Sequence, residues 1–310
     1  MIEFQKDTNL SGYSNYRIGG PAKFFFEAKN AEETTAAVEL AKDRGLGFFV
    51  LGGGTNLLVS ESGFDGLVLK PKISFLEADG EFIRAGAGVL MSDLLDFAAH
   101  SGLSGLEWAG GLPGTFGGAI RGNAGAFGGE IKDVVAAVES FDAKNLKRIT
   151  RKNSDCNFAY RSSIFKEKSG EEIVLSATLA LRKGDPKKIA AAVQEKINYR
   201  LARHPMEYPN IGSIFKNVDL KKVPQKLHSQ LAKVIKVDPF PVVPTAYLIS
   251  ETGLKGVSFG GAMVSPKHPN FIVNVLDATF SDVIQLMDLV KTKVDKKFGI
   301  KLEEEVQLLQ

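Results

Sequence analysis

The sequence predicts a two-domain protein of the α+β class, on three observations. The chain of 310 residues is longer than one ordinary domain and too short for three. Strand and helix patterns alternate through its first third and then separate. A turn at "GDPKK" (184–188) launches a long helix, "IAAAVQEKINYRLARH", that stops at Pro205. With 44% hydrophobic and 24% charged residues, the composition is globular and supplies a sizeable core.

In order, "KFFFEAK" (23–29) is a strand, and Asn30 opens a helix with Glu33 three residues on, a capping-box pattern, closing near Gly45. "LGFFVLGGGTNLLV" (46–59) is strand, glycine turn and strand, followed by the strand "GLVLK" (66–70). A helix over "SDLLDFAAHSG" is expected to be capped by Ser92 and closed by Gly102. "VVAAVESFDA" (134–143) and "EIVLSATLALRKG" (172–184) are strands flanking a loop that carries "CNFAYRSSIFK" (156–166). Beyond the turn, "GSIFKNV" and "NFIVNVL" have strand character. A last helix opens near Ser281, carries Val283, Leu286, Val290 and Val294 on one face, and ends at Gly299. The domains implied are 1–70, 71–185 and 186–310, the first two forming a two-part unit.

Composition removes several classes of function. A net charge of +3 from 39 basic and 36 acidic residues, without a basic block, argues against nucleic acid. Cys156 is the sole cysteine, so no internal disulfide or thiol cluster forms, and no metal site is expected. No leader pattern and no apolar run of about 18 residues occurs, which points to a cytoplasmic protein without membrane insertion and with no obligate protein partner evident.

The chemistry concentrates in two glycine-rich segments, "LGGGTNLLV" (51–59) and a run with ten glycines between residues 105 and 130. Each glycine inside a regular element costs roughly 0.5–1 kcal/mol against alanine. Such density is explained either by tight turns or by bare backbone approaching a ligand, whose phosphate oxygens suit converging N–H groups. Neither G-x-G-x-x-G nor G-x-x-x-x-G-K-[ST] is present, and "GAGVLM" (86–91) fails at its last position, so a dinucleotide site here needs another architecture.

The order "NYRIGGPA" (15–22), "LGGGTNLLV" (51–59), "GLPGTFGGAIRGNAGAFGGE" (111–130), "FAYRSSIFK" (158–166), "GSIFKN" (212–217), "GLKG…GGAMVS…H" (253–268) and "FGIKLEEEV" (298–306) resembles the UDP-N-acetylenolpyruvoylglucosamine reductase (MurB) family across essentially the whole chain. Its compactness between Arg161 and Ser213 resembles the shorter (type II) form. The resemblance implies a two-part FAD-binding domain of the vanillyl-alcohol oxidase (PCMH) type and a C-terminal α+β domain that binds substrate. NADPH is implied as hydride donor and a nucleotide sugar as substrate.

The resemblance further implies that Gly52, Gly53, Gly54, Thr55, Asn56, Gly111, Pro113, Thr115, Gly117, Gly118, Asn123, Gly125 and Ala126 line the FAD. It places Arg161, Ser213 and Glu305 at the chemistry, with Lys216 a neighbour that supports Ser213. It sets Tyr160, Arg203, Asn217, Lys255 and His268 near substrate. These residue types fit the reaction. Hydride addition to an enolpyruvyl ether leaves charge on a carboxylate that a planar guanidinium stabilises, and the resulting carbanion needs a proton donor. Phe127, Tyr247 and Gln307 depart from the usual family residues, and Phe127 lacks a phenolic hydroxyl. His100 and His228 carry no assigned role. Two other readings stand beside this one: an oxidase or dehydrogenase on the same FAD scaffold, and a flavin or nucleotide-sugar binding protein without catalysis.

Overall fold

The computed structural model describes residues 2–237 and 240–310. The chain forms two compact units. The first comprises Met1–Thr8, Ala22–Gly53 and Phe64–Arg200, the second Asn9–Pro21, Gly54–Gly63 and Leu201–Gln310.

The first unit is built on two sheets. In the smaller, strands Pro21–Ala28 and Phe48–Val50 both run parallel to Phe64–Pro71, which lies between them. The helix Ala31–Asp43 makes the crossover from Pro21–Ala28 to Phe48–Val50, and Gln5–Asn9 flanks Pro21–Ala28 on its other side. Asn30 caps that helix as expected, accepting from the N–H of Glu33 at 2.8 Å, while Glu33 accepts from the N–H of Lys29 at 2.7 Å. Gly45, at φ +64°, follows its C-terminus.

The larger sheet is antiparallel in the order Lys147–Lys152, Val135–Asp142, Glu172–Ala180, Phe82–Gly86, Leu76–Asp79. Its central strand, Glu172–Ala180, is buried along nearly its whole length, which is why "EIVLSATLA" carries apolar residues on both faces instead of alternating. One face contributes Phe141, Ile173 and Leu175 to a core shared with Leu67, Leu69, Ala37 and Val38. The other face, with Ile83, Ala85 and Leu179, packs on Leu94, Phe116 and Ile120 from helices Met91–His100 and Phe116–Gly122.

In the second unit, helix Phe280–Phe298 buries Val283, Leu286, Val290 and Val294 as its spacing predicts. Its N-terminus is a reciprocal capping box of Thr279 and Asp282. The helix lies against the three-stranded sheet Ser258–Phe259, Ala262–Val264, Ile272–Asn274. Strand Gln307–Leu309 pairs in parallel with Leu57–Val59. That pairing draws 54–63 into the second unit.

Three local expectations are corrected. Ser92 is not the cap of its helix: the helix starts at Met91, and Ser92 Oγ bonds Asp93 instead. The N–H of Met91 donates to Gly114 O at 3.0 Å, so the glycine-rich run does the capping. "GSIFKNV" is mostly irregular, with regular strand only at Val218–Asp219. The turn at 184–188 does start a helix, Pro186–Arg203, but that helix belongs to the first unit through Arg200.

Glu172 anchors the central strand. Its carboxylate accepts from Arg151 Nε at 2.7 Å and Nη2 at 2.9 Å, and from Ser140 Oγ at 2.7 Å. Burial alone would raise its pKa; the Arg151 fork and the Ser140 hydroxyl outweigh burial and hold it below the usual carboxylate range. Glu172→Gln strands a half-buried guanidinium and should cost about 2–4 kcal/mol in urea unfolding at pH 7. Because the folded carboxyl is the stronger acid, this contribution is present above about pH 4.5 and is lost as the solution is acidified through the depressed value. The gap between wild type and variant should therefore close in unfolding curves taken at successively lower pH.

Candidate active site

The two glycine-rich segments meet in the first unit. A Cβ on Gly53 would stand 2.6 Å from Gly114 Cα, and one on Gly52 would stand 3.0 Å from Thr115 Oγ1. Beside them opens a cavity of about 160 Å3 lined by Gly52, Thr115, Gly117 and Gly118, together with Arg121 and Phe165. Much of the glycine density in the second run serves close approach of chain to chain: a Cβ on Gly117 would sit 2.8 Å from that of Ala87.

The two segments differ in what they offer a ligand. In the run, the N–H groups of Phe116 and Gly117 donate to Val89 O and Ala87 O, and that of Gly118 to Thr115 Oγ1 at 3.4 Å. The N–H groups of Phe116, Gly117 and Gly118 are thus already spent. By contrast, none of the five consecutive N–H groups from Gly52 to Asn56 has an acceptor among the described residues. Lys70 Nζ holds the loop by donating to Gly52 O at 3.1 Å. Within the first unit, the unclaimed N–H groups of Gly52 and Gly53 beside a glycine-lined cavity suit the phosphate oxygens of a dinucleotide such as FAD.

Asn123, expected to line the cofactor, has its side chain engaged within the protein. It is fully buried and left-handed at φ 40°. Its side chain donates to Ala159 O at 3.0 Å and accepts from the N–H of Lys132 at 3.1 Å. Ser163 Oγ donates to Arg121 O at 2.7 Å. These bonds fasten the glycine run to the turn Ala159–Ser162, which is closed by hydrogen bonds in both directions at 3.0 Å. Arg161 occupies that turn at φ 56°, a region that costs a non-glycine residue about 1–2 kcal/mol. Its Nη2 donates to Gly125 O at 2.9 Å, and its guanidinium lies 5.0 Å from the ring centroid of Tyr160. Pro113 is exposed, and Gly111, Gly125 and Ala126 are partly so.

Ser213 and Glu305 lie in the second unit, on strips that run side by side. The N–H of Glu305 donates to Ile214 O at 2.8 Å, the N–H of Lys216 donates to Glu303 O at 2.9 Å, and Phe215 bridges Glu304. On the other flank, Asn270 stands in for a strand: its Oδ1 accepts from the N–H of Phe215 at 3.1 Å and its Nδ2 donates to Phe215 O at 2.8 Å. The acidic run is sorted by its partners. Glu303 pairs with Lys222 and Lys216, and Glu304 pairs with Lys291 at 2.5 Å; the backbone of Glu305 joins the ladder. Asn56 reaches the same strip, with Nδ2 donating to Glu305 O at 3.1 Å.

Of the residues expected near substrate, Asn217 is engaged locally, its Oδ1 accepting from the N–H of Thr245 at 3.2 Å. Lys255 and Arg203 are exposed. His268 stacks edge-on with His204 at 5.3 Å and Phe271 at 4.8 Å. Burial, helped by the charge of Lys236, pushes its pKa down to about 4, so it is uncharged at neutral pH and its Nδ1 has no partner among the described residues. It can offer a phosphate a hydrogen bond and no charge. Tyr247 packs against the core of this unit, and Gln307 lies in the strand paired with Leu57.

Sequence reasoning missed Asn270 and Arg121. Asn270 sits in "KHPNF" like any loop asparagine, and only its burial and two bonds to Phe215 reveal it. Asn270→Ala would leave the N–H and C=O of Phe215 buried without partners. The expected loss is about 2–4 kcal/mol in urea unfolding; an unchanged midpoint would show that the strip holding Ser213 does not need this clamp.

Residues 204–309 match the model of the UDP-N-acetylenolpyruvoylglucosamine reductase C-terminal domain, and residues 22–145 match an FAD binding domain. A relative of that reductase name from Solibacter usitatus is 38% identical over 97% of this chain and 95% of its own. One from Carboxydothermus hydrogenoformans is 39% identical over 97% and 92%. The crystal structure of the reductase (MurB) from Thermus caldophilus superposes with a TM-score of 0.79 at 29% identity, covering 100% of both chains. The motif order, the FAD-binding segment and the near full-length identity agree: the chain belongs to the UDP-N-acetylenolpyruvoylglucosamine reductase family.

Proposed function

We propose that this protein is an FAD-containing, NADPH-dependent reductase. It would convert the enolpyruvyl ether of UDP-N-acetylenolpyruvoylglucosamine into the lactyl ether of UDP-N-acetylmuramate. The reaction would supply peptidoglycan precursors in the cytoplasm, on which wall growth, cell shape and division depend. The observation that carries the proposal is the pairing of the Ser213 and Glu305 strips, with the acidic neighbours of Glu305 committed to lysines.

Bound FAD would supply the two-electron carrier between NADPH and the alkene. The N–H groups of residues 52–56 would hold its pyrophosphate. Arg161 would take the negative charge that develops on the enolpyruvyl carboxylate as the double bond is reduced, a role in which a planar, always charged fork surpasses lysine. Glu305 would help Arg161 polarise the substrate. The Ser213 hydroxyl would give its proton to the carbon bearing that carboxylate, and Lys216, three residues along the strip with its ammonium 3.6 Å from Glu303, would favour the alkoxide left behind. The strain at Arg161 supports a functional task, since a left-handed arginine persists only where its surroundings impose it. Arg203, Asn217, Lys255 and His268 are assigned to the nucleotide diphosphate on motif position.

Ser213→Ala should leave bleaching of the flavin by NADPH intact in stopped flow. Reoxidation by the enolpyruvyl nucleotide should slow by about 100- to 10,000-fold; fast reoxidation in that variant would remove Ser213 from the mechanism. Oxidation of NADPH by the wild type must depend on the enolpyruvyl nucleotide, and turnover of a simple alcohol with oxygen instead would overturn the proposed function. Gly53→Ala forces the two glycine segments apart where no side chain can yield. Flavin affinity, read from visible absorbance per chain during dialysis, should fall about 5- to 100-fold.

A further inference from the structure

The cavity beside Gly52 is walled on one side by the helix Phe116–Gly122, which contributes Gly117, Gly118 and Arg121. Gly117 is needed for the close approach to Ala87. A Cβ on Gly118, by contrast, would meet nothing nearer than Thr115 Oγ1 at 3.5 Å, an ordinary contact, and Gly118 has no positive φ. Neither packing nor backbone conformation therefore asks for glycine at 118, and in a helix glycine is a poor choice. Its missing side chain serves the cavity, by leaving room in it.

Arg121 stands at the same wall. Its Nη2 donates to Ser169 Oγ at 3.0 Å, and Ser169 also lines the cavity. Its carbonyl oxygen is held by Ser163 Oγ at 2.7 Å, so the backbone there is fixed independently of the arginine side chain. No carboxylate pairs with Arg121 among the described residues. The acid that shares the cavity, Glu172, is committed to Arg151. Burial lowers the pKa of Arg121, yet a guanidinium stays charged. A largely desolvated cation whose side-chain partner is one neutral hydroxyl is costly to keep unless a ligand completes its bonds. Elsewhere the walls are mostly apolar, with Phe49, Val50, Phe165, Ile173 and Val174.

Together these features describe a ligand with a flat ring, an edge of hydrogen-bond acceptors and a phosphate close by. The apolar walls and the bare flank of Gly118 suit the ring. A guanidinium suits ring nitrogens through its N–H groups and a π face through its charge. The phosphate falls to the unclaimed N–H groups of Gly52 and Gly53, the former lining the same cavity. An interior cavity of about 150 Å3 takes in benzene. The 160 Å3 found here thus suits a base better than the three fused rings of a flavin. We infer that this cavity holds the adenine of FAD and that Arg121 is the residue that recognises it, making the protein selective for FAD over FMN. The inference rests on the flavin of the reductase reading and deepens it.

The test dialyses the full chain, stripped of flavin, against FAD or FMN and reads binding from flavin absorbance. FMN keeps the isoalloxazine and one phosphate and lacks the adenosine half. Wild type should bind FAD at least about 10-fold more tightly than FMN. Arg121→Leu should weaken FAD about 10- to 100-fold and leave FMN within about twofold. Gly118→Ala, which puts a methyl group into the cavity, should weaken FAD about 5- to 50-fold and again spare FMN. Its urea midpoint should not fall, since alanine is the better helix former, so this variant decides the matter should Arg121→Leu fail to fold. Equal weakening of FAD and FMN would overturn the inference and assign this wall to the flavin or to the phosphate both ligands share. Unchanged FAD affinity in a folded Arg121→Leu would overturn it as well. So would a wild type that binds FMN as tightly as FAD and lets NADPH bleach either, a result that leaves the reductase reading standing. A wild type that takes up neither flavin would instead remove the proposed function itself.

Discussion

Backbone meeting backbone at Gly53 and Gly114 is the constraint on which the first unit's site depends. Two strips of chain lie closer there than a side chain permits: a Cβ on Gly53 would stand 2.6 Å from Gly114 Cα. The approach has consequences on both sides. The second strip spends the N–H groups of Phe116, Gly117 and Gly118 on Val89, Ala87 and Thr115, while those of Gly52 and Gly53 in the first have no acceptor among the described residues. Donor capacity and shape are thus divided between the two glycine-rich segments.

From that second strip, order passes outward through buried polar side chains. Asn123 turns the end of the short helix and ties it to Ala159, and Ser163 returns a bond to Arg121. The turn fixed by these bonds holds Arg161 in a conformation arginine avoids. In the second unit Asn270 does comparable work, closing the ladder on the flank of Phe215 that Glu304 does not cover. Each asparagine satisfies both a donor and an acceptor of the main chain, and in both cases the partner segment carries a residue assigned to the chemistry.

The fold was legible wherever neighbours along the chain decide it. The cap at Asn30, the stop at Gly45, the apolar stripe of the final helix and the strands 135–142 and 172–180 follow from spacing and capping that act within a few residues. Ser92 misled because a serine before an apolar helix is a good cap in isolation; here Gly114 O, brought in from 23 residues along the chain, claims the first N–H of the helix. "GSIFKNV" misled in the opposite sense, since its strand-like composition is satisfied by an asparagine side chain and a single bridge instead of a continuous ladder.

The site shows the same division. The amino-acid order alone determined the family and the α+β class and supplied the flavin expectation, with Arg161, Ser213 and Glu305 as candidates for the chemistry, because short motifs keep their order wherever the chain carries them. Only the tertiary structure decided that Leu57–Val59 pairs with Gln307–Leu309, that Asn123 faces inward, and that Glu303 and Glu304 are taken by lysines. Those facts depend on desolvation, and on which groups from distant parts of the chain meet, and neither exists until the chain has folded.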